Sequence, residues 1–278
     1  MTALIMGILN VTPDSFSDGG RHADPEAAIA HGLRLRAEGA DILDVGGEST
    51  RPGAERVPAA LEQERVIPVI RALAAAGAVV SIDTMNASTA RAAIGAGARI
   101  VNDVSGGLAD PELLAAVAET NADIALGHWR GPSADMYARA QYGSVVADVR
   151  AELAERMAAA AAAGIPPARV IVDPGFGFGK QGAQNWELLH GLPRIVGMGP
   201  RVLVGTSRKR FLADALEDRD AGEATEVRRD LATAVTSVLA DEAGVWAVRV
   251  HDVAATRDAL RIAGLGKGTD PWSPTRSR

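Results

Sequence analysis

Residues 79–104, Val79-Val80-Ser81-Ile82-Asp83-Thr84-Met85-Asn86-Ala87-Ser88-Thr89-Ala90-Arg91-Ala92-Ala93-Ile94-Gly95-Ala96-Gly97-Ala98-Arg99-Ile100-Val101-Asn102-Asp103-Val104, carry one complete unit of the fold. Residues 79–83 and 100–104 are short β-branched apolar runs that read as strands, and the alanine-rich 86–96 between them reads as a helix. Two strands joined in this way pair in parallel, because only a crossover long enough to hold a helix returns the chain to the same end of a sheet. Both strands also end on polar groups, Asp83 in one and Asn102-Asp103 in the other.

The same unit recurs in both directions. Further apolar runs lie at 4–11, 41–45, 124–127, 170–172, 202–204 and 246–250, and helical stretches include 25–38, 60–75, 111–119, 146–163, 185–196 and 227–241. Eight alternations in a chain of 278 residues match a single-domain (β/α)8 TIM barrel better than an open doubly wound sheet. The first strand–helix turn carries no G-x-G-x-x-G fingerprint to favour the open sheet, and no Walker-type loop is present. The alanine run 158–163 reads as helix stopped by Gly164-Ile165-Pro166-Pro167, since alanine is the best helix former and glycine and proline end helices. The barrel domain is expected over 1–266 and a frayed tail over 267–278. The long polar loops 12–23 and 46–58 suit mobile lids, and 217–226 reads as a solvated surface loop.

Composition narrows the function. With 29 Lys and Arg against 35 Asp and Glu, net charge −6, the chain is not built to neutralise phosphate backbones, so no nucleic-acid partner is expected. It has no cysteine, which excludes disulfides, thiolate nucleophiles and cysteine-ligated metals. There is no apolar run of the roughly 18 to 20 residues that a membrane helix needs, and no basic leader, so a cytoplasmic protein without a membrane partner is expected.

In a barrel of this type catalytic groups project from the carboxyl ends of different strands. Asn10, Asp44, Asp83, Asn102-Asp103, His128, Asp173, Ser207-Arg208-Lys209-Arg210 and Arg249-Val250-His251-Asp252 all stand there. One such aspartate or asparagine is commonly a helix cap or turn former, a reading that fits Asp103 and Asp252. It does not account for lysine, arginine and histidine converging with them on one rim. A mixed acidic and basic rim suits a polar ring plus an anion.

The residues at these positions resemble a known family. Met6-Gly7-Ile8-Leu9-Asn10-Val11-Thr12-Pro13-Asp14-Ser15-Phe16-Ser17-Asp18-Gly19-Gly20 and Asp44-Val45-Gly46-Gly47-Glu48-Ser49-Thr50-Arg51-Pro52-Gly53 are similar to the two signatures of the dihydropteroate synthases. The likeness continues through Ser81-Ile82-Asp83-Thr84, Val101-Asn102-Asp103, Asp173-Pro174-Gly175-Phe176-Gly177-Phe178-Gly179-Lys180, Ser207-Arg208-Lys209 and Arg249-Val250-His251-Asp252. It spans about residues 4–265 in order.

The resemblance implies condensation of a dihydropterin bearing a CH2-pyrophosphate with p-aminobenzoate, giving dihydropteroate and pyrophosphate for folate synthesis. The implied chemistry is an SN1-like displacement with no protein nucleophile. The resemblance assigns Asp83, Asn102, Asp173 and Lys209 to the pterin, and Asn10, Thr50, Arg249 and His251 to the pyrophosphate. Thr50, Arg51, Pro52, Phe178, Lys209 and Arg210 fall to the p-aminobenzoate, whose carboxylate would meet the start of the helix after strand seven. Phe176 reads as core. Asn10 would also hold Mg2+, weakly without substrate, and a homodimer and a target site for sulfonamides, which mimic p-aminobenzoate, are further implications.

Two positions depart from the family pattern. Gly127 stands where a methionine commonly precedes the strand-five histidine, which predicts a hole, a water or a shifted neighbour, and a looser pterin pocket. Arg210 stands where many members have a serine for the benzoate carboxylate, and a long cation there either takes that job or lies in solvent. Two alternatives share the fold: a non-catalytic pterin-binding paralogue and a corrinoid-type pterin-binding methyltransferase. The intact lysine, anion pair and second loop argue against both.

Overall fold

A computed structural model describes residues 2–12, 24–48, 56–131, 140–217 and 224–266. Eight parallel strands close in sequence order into a barrel: β1 Leu4–Asn10, β2 Ile42–Gly46, β3 Val80–Asp83, β4 Ile100–Asp103, β5 Asp123–Gly127, β6 Val170–Asp173, β7 Arg201–Val204 and β8 Ala247–Val250. Closure is completed where Leu4 to Gly7 of β1 pair with Ala247 to Val250 of β8. The eight expected strands are therefore present, each within a residue or two of its expected ends. Among the described residues no helix is long and apolar enough to cross a membrane.

The helices are α1 Pro25–Glu38, α2 Ala59–Ala75, α3 Ala87–Gly95, α4 Leu113–Ala118, α5 Val145–Ala162, α6 Gly182–His190, α7 Leu192–Val196, α8 Arg210–Leu216, α9 Glu226–Glu242 and α10 Val253–Gly266. Helix α1 starts where the Asp24 side chain accepts from the Glu26 and Ala27 N–H groups, and stops at Gly39 in the left-handed conformation, a strong start and stop pair. The single helix expected over 185–196 is two. Gly191 separates α6 from α7, and Val146 of α5 lies where a β-carbon on Gly191 would stand.

Strand parity sorts the core. Met6, Ile42, Ile100, Ala125, Ile171, Leu203 and Ala247 form a cluster of their own, the floor of the barrel interior. The much larger cluster, including Leu9, Leu43, Val45, Ile82, Val101, Leu126 and Val172, lies between strands and helices. Residues two further along from the floor residues share their inward face. By this parity Asp44, Asn102, Asp173 and Arg249 stand above an apolar floor, and polar groups collect at one mouth.

Candidate active site

Arg249 spans that mouth. Its Nε donates to Asp44 Oδ2 at 2.6 Å and an Nη donates to Asp83 Oδ2 at 2.7 Å. Asn102 Nδ2 donates to the same Asp44 oxygen at 3.0 Å. Asp44 is fully buried, so the guanidinium is held by two carboxylates in a place where an unpaired charge is costly. Burial pushes the Asp83 carboxyl up to about 7 although Arg249 pulls it down and Asp44 pushes it further up. The Arg249 guanidinium itself is held above its ordinary value by the two aspartates.

The second cation is Lys209. Its Nζ donates to the Phe176 carbonyl and lies 4.5 Å from the centre of the Phe178 ring, a cation–π contact. Burial carries the ammonium down to about 8, against the pull of Asp173 and Asp83. Asp173 is pushed up by burial and drawn back mainly by Lys209, and its Oδ1 accepts from the Gly175 N–H at 2.7 Å. Phe176 is wholly buried against Phe211, so of the two phenylalanines in this loop only Phe178 faces the cation.

Arg208 explains how Lys209 and Ser207 come to flank the mouth. It is the one non-glycine with positive φ among the described residues, at 57°, a conformation that costs energy outside glycine. A bidentate pair with Asp230 of α9 at 2.7 and 2.8 Å and an N–H bond to Thr233 Oγ1 hold it there. Ser207 then meets His251 twice. The serine oxygen accepts from the His251 N–H at 3.1 Å and lies 2.8 Å from Nδ1. The two contacts fix the ring's orientation against the end of β7.

The fate of the expected site residues varies. Asn102 meets Arg249 through Asp44, and Asp83 pairs with Arg249 directly; Asp173, Lys209 and Phe178 form a neighbouring group. His251 is two residues along β8 from Arg249, beyond the strand's last residue. Asn10 ends β1, in register with Gly46, which is in register with Asp83. A β-carbon on Gly46 would stand 3.8 Å from Asn10 Oδ1 and 3.6 Å from Asp83 Oδ2, so glycine leaves space beside two oxygen donors. Such donors fit a hard cation, although no group of three or more His, Cys, Asp or Glu able to hold a metal occurs among the described residues.

Arg210 stands apart, because its side chain is 83% exposed and pairs with Asp214 at 3.6 Å one helical turn on. Thr50, Arg51 and Pro52 lie outside the described residues, as do most of the first-loop signature and the tail 267–278. At Gly127 there is no hole: a β-carbon there would lie 2.7 Å from Val104 Cα, so backbone at the end of β4 occupies the position. Asp44 and Ser207 received no role from the sequence. Asp44 shares the inward parity of Ile42, the available signal, whereas the Ser207 bond to His251 spans two strands and leaves none.

A model of the pterin-binding enzymes matches residues 6–251. The chain belongs to that family. Within it the relatives are dihydropteroate synthases: the enzyme of Mycobacterium leprae (strain TN) is 52% identical over 261 residues, 94% of this chain and 92% of that one. The Xanthomonas albilineans dihydropteroate synthase solved with 4-aminobenzoic acid superposes with a TM-score of 0.88 at 46% identity, covering 97% of this chain and 94% of that one. The same enzyme in complex with 7,8-dihydropteroate gives 0.85 at 44%, covering 97% and 95%.

Proposed function

We infer that this dihydropteroate synthase homologue is itself a transferase joining 6-hydroxymethyl-7,8-dihydropterin pyrophosphate to p-aminobenzoate, giving 7,8-dihydropteroate and pyrophosphate in folate biosynthesis. The observation that carries the reading is the gathering of three carboxylates, buried Asp44 and partly buried Asp83 and Asp173, with two cations, Arg249 and Lys209, at one barrel mouth. The C–O bond to pyrophosphate breaks, the arylamine nitrogen bonds the pterin methylene carbon, and the amine gives up a proton. No covalent bond to the protein is required, which suits a chain without cysteine.

Asp83, Asn102 and Asp173 bind the pterin edge, where carboxylates accept its N–H groups and their charge favours the cation that forms as the leaving group departs. Asp44 holds Asn102 and Arg249 in place for this. Arg249 presents the guanidinium edge not used by the aspartates to the pyrophosphate, and His251 adds its imidazole beside it. Asn10 and Thr50 complete the anion site. Asn10 would also hold Mg2+, which when bound would neutralise charge on the pyrophosphate.

Phe178 and Lys209, with Thr50, Arg51 and Pro52, form the p-aminobenzoate side, where sulfonamides compete. Arg210 serves the carboxylate only if it leaves Asp214, so Arg210→Ser should leave the p-aminobenzoate KM close to that of the unaltered protein. The enzyme acts as a cytoplasmic homodimer. The apolar outer face of α9, with Val227, Leu231, Val235 and Leu239 exposed, supports the dimer.

The test is direct. The purified protein, given both substrates and Mg2+, should release dihydropteroate and pyrophosphate in equal amounts, and Lys209→Ala and His251→Ala should each remove most of that turnover. Binding of the dihydropterin without any product would overturn the synthase reading in favour of a non-catalytic pterin-binding protein.

A further inference from the structure

Lys180 is 2% exposed and ranks among the largest fully buried side chains, yet no step of the reaction uses it. Its Nζ lies 2.8 Å from the Gly175 carbonyl, 3.0 Å from the Phe178 carbonyl and 3.0 Å from His128 Nδ1. The opposite ring nitrogen of His128 is 2.9 Å from Glu152 Oε2 of α5. A carboxylate only accepts, so the imidazole proton sits on Nε2 and Nδ1 offers a lone pair. Burial and the Lys180 charge carry His128 down to about 4, which keeps the ring neutral. Three acceptors then surround the Lys180 nitrogen, which burial lowers well below its ordinary value against the pull of Asp173.

The chain of contacts returns to where it began. Glu152 is gripped by Arg130 through both oxygens. The Arg130 guanidinium lies 3.8 Å from the centre of the Tyr142 ring, and the Tyr142 hydroxyl donates to the Gly179 carbonyl at 2.9 Å. Lys180 and Tyr142 therefore hold the 175–180 loop at three carbonyls. The loop needs holding, because Gly175, Gly177 and Gly179 all have positive φ, at 70°, 73° and 59°, and glycine confers no preferred shape of its own. The middle one also gives way to the Lys209 stem, whose Cδ would be 2.8 Å from a β-carbon on Gly177.

We propose that Lys180 is a positioning residue: through the closed ring Lys180, His128, Glu152, Arg130, Tyr142 it sets the shape of the 175–180 loop, and so fixes Phe178 and Lys209 for the arylamine substrate. This rests on the assignment of those two groups to p-aminobenzoate. Of the dihydropterin side, Asp83 and Asn102 are reached by none of the five residues of the ring, and Asp173 meets the loop only at its first residue, through the Gly175 N–H.

Lys180→Met keeps the length of the side chain and removes its hydrogen-bond donors. In steady-state assays it should raise the KM for p-aminobenzoate about tenfold or more, equivalent to the loss of one or more buried hydrogen bonds, while the KM for the dihydropterin pyrophosphate changes less than about threefold. Tyr142→Phe and Glu152→Gln act on the same ring from outside the core, should move KM the same way by less, and remain available if Lys180→Met does not fold. Combined, Tyr142→Phe and Glu152→Gln should be less than multiplicative.

Hydrogen exchange of the peptide covering 174–181 supplies a readout without turnover, and it should quicken in each variant. Unchanged exchange overturns the proposal whatever the activity. If the parent protein makes dihydropteroate and the variants raise both KM values equally, the proposal fails and the synthase reading stands. If the parent makes none, that reading fails, and the exchange result alone decides whether the ring shapes the loop.

Discussion

Asp83 concentrates the physics of the mouth in one carboxyl. Burial pushes it from an ordinary value near 3.8 to about 7, with Arg249 opposing and Asp44 assisting. Because its folded-state value is raised, the folded chain keeps a proton that the unfolded chain releases. The stability this supplies is complete below about 3.8 and is lost as pH rises through about 7. Function has the opposite sign, since the pterin amino group needs the ionised carboxylate as acceptor. Calorimetric titration with a dihydropterin on either side of neutrality should therefore give tighter binding at the alkaline side. Asp83→Asn should flatten that dependence and weaken binding by about 1.5–3 kcal/mol, the value of a hydrogen bond to a charged group. A pH-independent affinity in the unaltered protein would remove Asp83 from the pterin.

At the scale of elements, the strands were legible because each is a short apolar run bounded by polar residues or glycine, and the site residues Asp83, Asn102, Asp173 and Arg249 were legible from their place at strand ends and from the family motifs. The break between α6 and α7 was also written, in Gly191-Leu192-Pro193. What was hidden lies between elements. Arg249 reaches residues 205 and 166 positions away, and Ser207 reaches His251 from the neighbouring strand end; no local pattern encodes side-chain reach across a barrel. The Glu152–His128 contact between α5 and the β5 end is of the same kind, and it makes acid stability predictable.

Glu152 is lowered to about 2 despite burial, through His128 and Arg130, so its contribution is present above about 4.5 and lost as pH falls towards 2. His128, lowered to about 4, adds a loss between 6.5 and 4, where the unfolded chain takes up a proton that the folded one refuses. Urea midpoints should fall across both windows. In Glu152→Gln the midpoint should be lower at neutral pH and should lose its further fall below about 4.5. An unchanged acid limb in that variant would show that the contact contributes nothing to the folded state.

The whole molecule presents one helix with its polarity reversed. The face of α9 turned to the barrel is polar and small, with Asp230, Thr233, Ala234, Thr236, Ser237 and Ala240 buried, whereas Val227 and Leu231 are 78% and 66% exposed. The inner polarity has a local cause: Asp230 and Thr233 hold Arg208, and Thr236 Oγ1 meets Thr206 Oγ1 at 2.8 Å. The outer aliphatic row, spaced by four residues and continued by Ile262 and Leu265 of α10, has no partner in the described chain. A second copy about a two-fold axis would meet it with the same surface and bury it symmetrically. Each aliphatic so covered is worth about 1.5–3 kcal/mol. Leu231→Glu would place a charge there on both copies at once and should weaken association by roughly 100-fold or more, about 3 kcal/mol. Light scattering after gel filtration should give twice the chain mass for the unaltered protein and the single-chain mass for the variant, with the circular dichroism of both alike. Because the inner side of the same helix braces Ser207 and Lys209 through Arg208, turnover should fall with the mass. A variant that stays dimeric, or an unaltered protein that is monomeric at every concentration, would assign the apolar row to something other than a second copy.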